Sequence, residues 1–167
     1  GSKSAGGTNA LRTVGIIFAL LTLIIDVAKG FIPTYLIGYY TYFNSYEMIL
    51  GAVAAILGHV YPLYYKFNGG KGAATVLGAL FALTPQSIPY ILAVWVCSVL
   101  LSGYVGISTI LASLTLFIYT SIYLNIEFQI FGLIVFIFIV FTHRKNLSRM
   151  WNGTENRFTS VMIFKPK

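Results

Sequence analysis

Six stretches of this 167-residue chain, at roughly 13–37, 47–65, 73–84, 89–102, 106–124 and 128–142, run almost without charge and without strand-like alternation. Several approach the roughly 20 residues that carry a helix across a bilayer. In lipid each segment must satisfy its own backbone N–H and C=O groups, which a helix does and an isolated strand does not. The expected fold is therefore all-α: a polytopic integral membrane helix bundle of about six helices, forming one domain over residues 1–167. The segments at 73–84 and 89–102, on either side of the "TPQSIP" turn, are short, so tilted or partly spanning helices are expected there.

Composition excludes the soluble alternatives. Only 9% of residues are charged and 57% are hydrophobic, whereas a soluble domain carries about 25% charged residues. The formal charge of +7 would suggest nucleic acid in a soluble protein, but the placement of the charges assigns them to a membrane surface. Lys3 and Arg12 precede the first run, Lys66 and Lys71 follow the second, and Arg144, Lys145, Arg149, Arg157, Lys165 and Lys167 follow the last. The intervening loops "YYTYFNSYE", "TPQSIP" and "YLNIE" hold no Lys or Arg. With an even number of crossings, ten of the eleven basic residues share one side, which the positive-inside rule makes cytoplasmic.

The eleventh, Lys29, lies inside the first run, three positions after Asp26. That spacing puts both on one helix face, and charge inside a membrane is expected to pair. A structural ion pair is the plainer reading and a substrate contact the sharper one. The single cysteine, Cys97, has no partner for a disulfide and is expected in the core. The chain starts at Gly1, and no secretory leader pattern follows. A trimmed chain with an apolar segment upstream is expected.

Polar residues gather in islands on the basic side. "GSKSAGGTNALR" can expose backbone N–H groups to an oxyanion ahead of a helix N-terminus, with Arg12 as a two-pronged phosphate ligand. A flexible terminus is the alternative. In "HVYPLYYKFNGGKGAAT", Gly69, Gly70 and Gly72 let a ligand approach the main chain while Lys71 supplies a mobile positive charge. The loop is not a nucleotide-binding P-loop, because Gly rather than Ser or Thr follows the lysine and no strand precedes it. His59 ends the preceding helix and either braces this loop or touches ligand. In "THRKNLSRMWNGTENRF", His143, Asn146 and Arg149 fall at i, i+3 and i+6, with Glu155 in the turn beyond. Arg144, Lys145, Lys165 and Lys167 read as a juxtamembrane anchor. A weaker island, "SGYVGIST", offers Ser108 and Thr109, either to a site or to their own helices.

Taken in order, these islands resemble the bacterial acyl-phosphate:glycerol-3-phosphate acyltransferases of the PlsY type. That family's first motif, G-S-G-N-x-G-A-T-N-x-x-R, keeps Gly1, Ser2, Gly6, Thr8, Asn9 and Arg12 here, with Lys3 and Ser4 as departures. Its second, G-H-x-[FY]-P-x-x-x-x-F-x-G-G-K-G-x-A-T, is matched throughout by "GHVYPLYYKFNGGKGAAT". Its third, H-R-x-N-x-x-R-x-x-x-G-T-E, is matched by "HRKNLSRMWNGTE". "DVAKG" at 26–30 resembles another recurrent element, whereas Gly103 and Gly106 replace an Arg and a Ser of the family's serine-rich stretch.

The resemblance implies acyl transfer from acyl phosphate to glycerol 3-phosphate at the cytoplasmic face of the bacterial inner membrane. The four acidic residues are too scattered for a metal site, no cofactor is expected, and a monomer is expected, with an upstream acyltransferase supplying the acyl phosphate. On this reading Ser2, Thr8, Asn9, Arg12, His59, Gly69, Gly70, Lys71, Gly72, Ser108, Arg149 and Glu155 bind substrate, while His143, Asn146 and Lys71 take part in the chemistry. The proton acceptor is either His143 or a substrate phosphate. A transporter for phosphorylated metabolites is the competing class, and a non-catalytic relic is a third.

Overall fold

The computed structural model describes residues 5–164, so Ser2, Lys3, Ser4, Lys165 and Lys167 lie outside the described residues. Among the described residues there are eight α-helices and no strand. They are α1 (Gly7–Thr13), α2 (Ile16–Tyr40), α3 (Ser45–Val60), α4 (Ala73–Leu83), α5 (Ile88–Ser102), α6 (Val105–Tyr123), α7 (Ile126–Thr142) and α8 (Arg144–Trp151). The chain divides into two compact units, Gly1–Pro85 and Gln86–Lys167.

The count exceeds the six runs because two of the polar islands also form helices, α1 ahead of the first run and α8 beyond the last. Gly15, with φ 104°, separates α1 from α2 at the start of the first run. At the other end the chain bends by 51° between α7 and α8, which His143 divides just past the last run. By length and composition, four helical segments can span a membrane: Ile16–Tyr40, Ser45–Tyr65, Pro85–Ser102 and Val105–Tyr123. The bent α7–α8 pair makes up to five. The short segments behave differently: α5 gains a 3₁₀ turn at Pro85–Ser87 and reaches spanning length, whereas α4 stays at 11 residues. Apolar side chains such as Ile17, Ile24, Ile118, Ile122 and Ile137 point outward, as lipid-facing surfaces require.

Within the first unit, α2 packs against α1, α3 and α4. The crossing with α4 is close because Gly30 and Gly78 leave no side chain between the backbones. A Cβ on Gly30 would overlap the Thr75 carbonyl oxygen, and one on Gly78 would overlap that of Val27. Small residues are the usual means of close approach in lipid, where burial gives helices no hydrophobic advantage over lipid contact. At the opposite end of α2, Asn44 caps α3 by accepting from the Tyr46 and Glu47 amides at 3.1 and 3.4 Å. In the second unit, α6 packs against α5 and α7, and Gly132 of α7 closes on Thr120 of α6.

One expectation is corrected. Cys97 is exposed on α5, not in the core. Along a membrane helix the lipid face is as apolar as the packed face, so an apolar run does not say which way a cysteine points.

Candidate functional site

In the first unit the first and second islands meet at Gly70. A Cβ built there would overlap His59 Nε2 and come within 2.6 Å of the Ala5 carbonyl oxygen. The loop is tied to the end of α3 by two backbone bonds, Gly69 N–H to the Val60 carbonyl at 3.1 Å and Gly70 N–H to the His59 carbonyl at 3.3 Å. Gly72 then takes φ 89° at the N-terminus of α4, a left-handed conformation that glycine adopts without penalty. Gly70 and Gly72 are buried, while Gly69 and Lys71 are partly accessible. One turn into α4, Thr75 Oγ1 is buried without a hydrogen-bond partner among the described residues. The residue four positions back is Lys71, outside the helix, so the usual i−4 carbonyl is missing.

Thr8, Asn9 and Arg12 stand on α1, with Thr8 and Asn9 half-buried and Arg12 exposed. Asp26 and Lys29 pair as expected, at 3.2 Å. Sequence spacing did not show the third partner: His59 Nδ1 lies 3.4 Å from the same Asp26 oxygen.

In the second unit the third island folds around Glu155. Asn146 Nδ2 donates to Oε1 at 2.8 Å and Arg149 Nε donates to Oε2 at 2.6 Å. The backbone repeats the grip, because the Thr154 and Glu155 amides donate to the Arg149 carbonyl. His143 is buried at the α7–α8 bend, where its Nδ1 lies 2.9 Å from the Ile139 carbonyl oxygen. A carbonyl only accepts, so Nδ1 carries the proton and Nε2 is the basic nitrogen of the neutral ring. The fourth island reaches the same place. Asn146 packs on Gly106, where a Cβ would stand 2.9 Å from the asparagine Cβ. Ser108 is fully buried and donates to the Tyr104 carbonyl, the helix-internal alternative for its hydroxyl.

Arg157, beyond the third motif, has a defined place. Its guanidinium lies 4.9 Å from the Tyr104 ring centroid and its Nε donates to the Ser102 carbonyl at 3.2 Å. No local pattern brings position 157 to position 104.

Apolar helices long enough to span lipid, joined by glycine-lined turns with basic residues beside them, define a polytopic membrane protein. The model of the family described as Glycerol-3-phosphate acyltransferase matches residues 1–153. A glycerol-3-phosphate acyltransferase of Fusobacterium nucleatum is 37% identical over 95% of this chain and 81% of its own length. That of Actinobacillus succinogenes is 36% identical over 94% and 78%. Among solved structures, the glycerol 3-phosphate form of PlsY, an integral membrane glycerol 3-phosphate acyltransferase, superposes with a TM-score of 0.90 at 32% identity. That superposition covers 96% of this chain and 81% of PlsY. The lysophosphatidic acid form gives 0.86. The chain belongs to the glycerol-3-phosphate acyltransferase family.

Proposed function

We propose that this protein moves a fatty acyl group from acyl phosphate to the 1-hydroxyl of sn-glycerol 3-phosphate. The hydroxyl oxygen attacks the acyl carbonyl carbon, the bond to the phosphate oxygen breaks, and phosphate leaves with its electron pair. The products are 1-acyl-glycerol 3-phosphate and phosphate. The observation that carries the reading is the closure of the first two islands on Gly70, which gathers glycine backbone, Lys71 and the α4 N-terminus where a phosphate would bind.

Ser2, Arg12 and Lys71 grip the phosphate of glycerol 3-phosphate, with Thr8 and Asn9 beside them on the first island. The backbone at 69–72 holds acyl phosphate and stabilises charge growing on its carbonyl oxygen. His143 and Asn146 orient the hydroxyl, Arg149 and Glu155 hold Asn146 in place, and Ser108 supports the serine-rich turn. The acyl phosphate brings its own leaving group, so alignment supplies much of the acceleration. The hydroxyl proton goes to His143 or to a phosphate oxygen of a substrate. The whole chain acts as one monomeric domain in the bacterial inner membrane, with the chemistry on the basic, cytoplasmic side. An acyl-phosphate-forming enzyme works upstream.

Purified protein in lipid nanodiscs, given acyl phosphate and labelled glycerol 3-phosphate, is expected to form labelled lysophosphatidic acid and phosphate in equal amounts. Liposome uptake of glycerol 3-phosphate without acyl transfer would replace the reading with transport.

A further inference from the structure

Asp26 sits on a spanning helix with its side chain 6% exposed. A carboxylate buried there needs a cation, and Lys29 supplies one at 3.2 Å from a side chain that is itself 52% exposed. Neutralisation asks for nothing more. Yet the same carboxylate oxygen also lies 3.4 Å from Nδ1 of His59, a side chain equally buried at 6% exposure. The other ring nitrogen, Nε2, abuts Gly70 so closely that no Cβ fits between them. His59 also holds the Gly70 amide through its own carbonyl. A continuous line of contacts therefore runs from Lys29 through Asp26 and the imidazole to the middle of the glycine loop.

A carboxylate facing Nδ1 keeps the proton on that nitrogen and fixes the plane of the ring. The ring in turn is the wall on which Gly70 rests, and glycine has no side chain with which to hold its own conformation. We propose that Asp26 is a positioning residue for acyl transfer, acting through His59 to hold the loop at 69–72 in the shape that receives the acyl phosphate. The proposal rests on the function given above. Asp26 touches no reacting atom. Its part is to keep the backbone donors of the loop aimed at the substrate.

The experiment compares steady-state kinetics of Asp26→Asn, the charge-balanced pair Asp26→Asn/Lys29→Met, His59→Gln, and Asp26→Asn combined with His59→Gln. All are measured in nanodiscs beside the unmodified protein, with thermal unfolding as the folding control. A wild-type protein that forms no lysophosphatidic acid defeats the functional reading itself. With wild-type turnover in hand, Asp26→Asn and the charge-balanced pair are expected to raise KM for acyl phosphate at least fivefold. KM for glycerol 3-phosphate should rise as well, because Lys71, which grips that substrate's phosphate, lies in the same loop. In the His59→Gln background, Asp26→Asn is expected to add almost nothing, because the two residues act in series. Any of three results overturns the proposal: an unchanged KM for acyl phosphate in folded variants, equal and independent effects of the two substitutions, or loss of folding in both Asp26 variants. The last would mark a purely structural ion pair.

Discussion

Asn146 and Arg149 share the carboxylate of Glu155, one oxygen each, at 2.8 and 2.6 Å. Three residues of the third motif, all within ten positions, thus form one hydrogen-bonded group. The Glu155 side chain is 3% exposed while Arg149 keeps 34%, so the carboxylate is the member that depends on its partners. Glu155→Gln retains an oxygen for Asn146 but removes the charge that Arg149 answers. Hydrogen bonds to charged groups contribute about 1.5–3 kcal/mol, so Glu155→Gln is expected to lower stability by about that amount in a detergent melt. Turnover should fall with it, because Asn146 loses its fixed orientation.

Gly70→Ala tests the loop directly. The added methyl overlaps His59 Nε2 and crowds the Ala5 carbonyl. Both neighbours are held, the ring by Asp26 and the carbonyl by its own backbone, so the loop must shift. Overpacking typically costs about 1–3 kcal/mol. The expected result is a folded protein with a lower melting temperature and roughly tenfold or greater loss of acyl transfer, measured as lysophosphatidic acid formed.

Gly30→Ala addresses the scaffold. Its Cβ would overlap the Thr75 carbonyl and stand 2.8 Å from the Ala79 amide nitrogen. Backbone atoms of α4 cannot rotate away as a side chain would, so α2 and α4 must separate. A destabilisation of about 3 kcal/mol or more, toward the upper end of overpacking costs, is expected in thermal unfolding.

These contacts also mark what could be read in advance. The i, i+3 pairing of Asp26 with Lys29 follows from helical geometry alone, and the glycine and histidine motifs stand out because they interrupt apolar sequence. His59 joining Asp26 does not follow, since it depends on how α3 packs on α2. The short helices α1 and α8, set off by Gly15 and His143, lie in polar islands that hydropathy passes over. The outward orientation of Cys97 was illegible for a related reason: lipid and core are both apolar, so the pattern carries no inside and outside. Arg157 reached Tyr104 through a tail with no local signature at all.

Gly103 shows the same limit and yields a prediction. The family pattern has an arginine there, yet in this chain Gly103 caps α5 at φ 71° with Met162 Sδ 2.7 Å from where a Cβ would stand. Arg157 already places a guanidinium on the neighbouring Tyr104 ring. Restoring the arginine is therefore expected to harm this protein. The left-handed conformation alone costs a residue with a Cβ about 1–2 kcal/mol, and displacement of Met162 adds to it. Gly103→Arg should melt lower than wild type, and Gly103→Ala should show most of that loss.

Replacing His143 tests where the hydroxyl proton goes. Its Nδ1 is committed to the Ile139 carbonyl at 2.9 Å, so the neutral ring carries its lone pair on Nε2, the form a general base requires. The ring is held at the α7–α8 bend and is 4% exposed, which limits it to one orientation. A general base contributes about 10²–10⁴-fold to rate. His143→Ala is accordingly expected to lower kcat by a factor in that range at saturating acyl phosphate and glycerol 3-phosphate, while KM for either substrate changes little. Turnover within a few-fold of wild type would instead assign the proton to a phosphate oxygen of the substrates, leaving His143 to orient the hydroxyl. A loss confined to KM would make it a binding residue only.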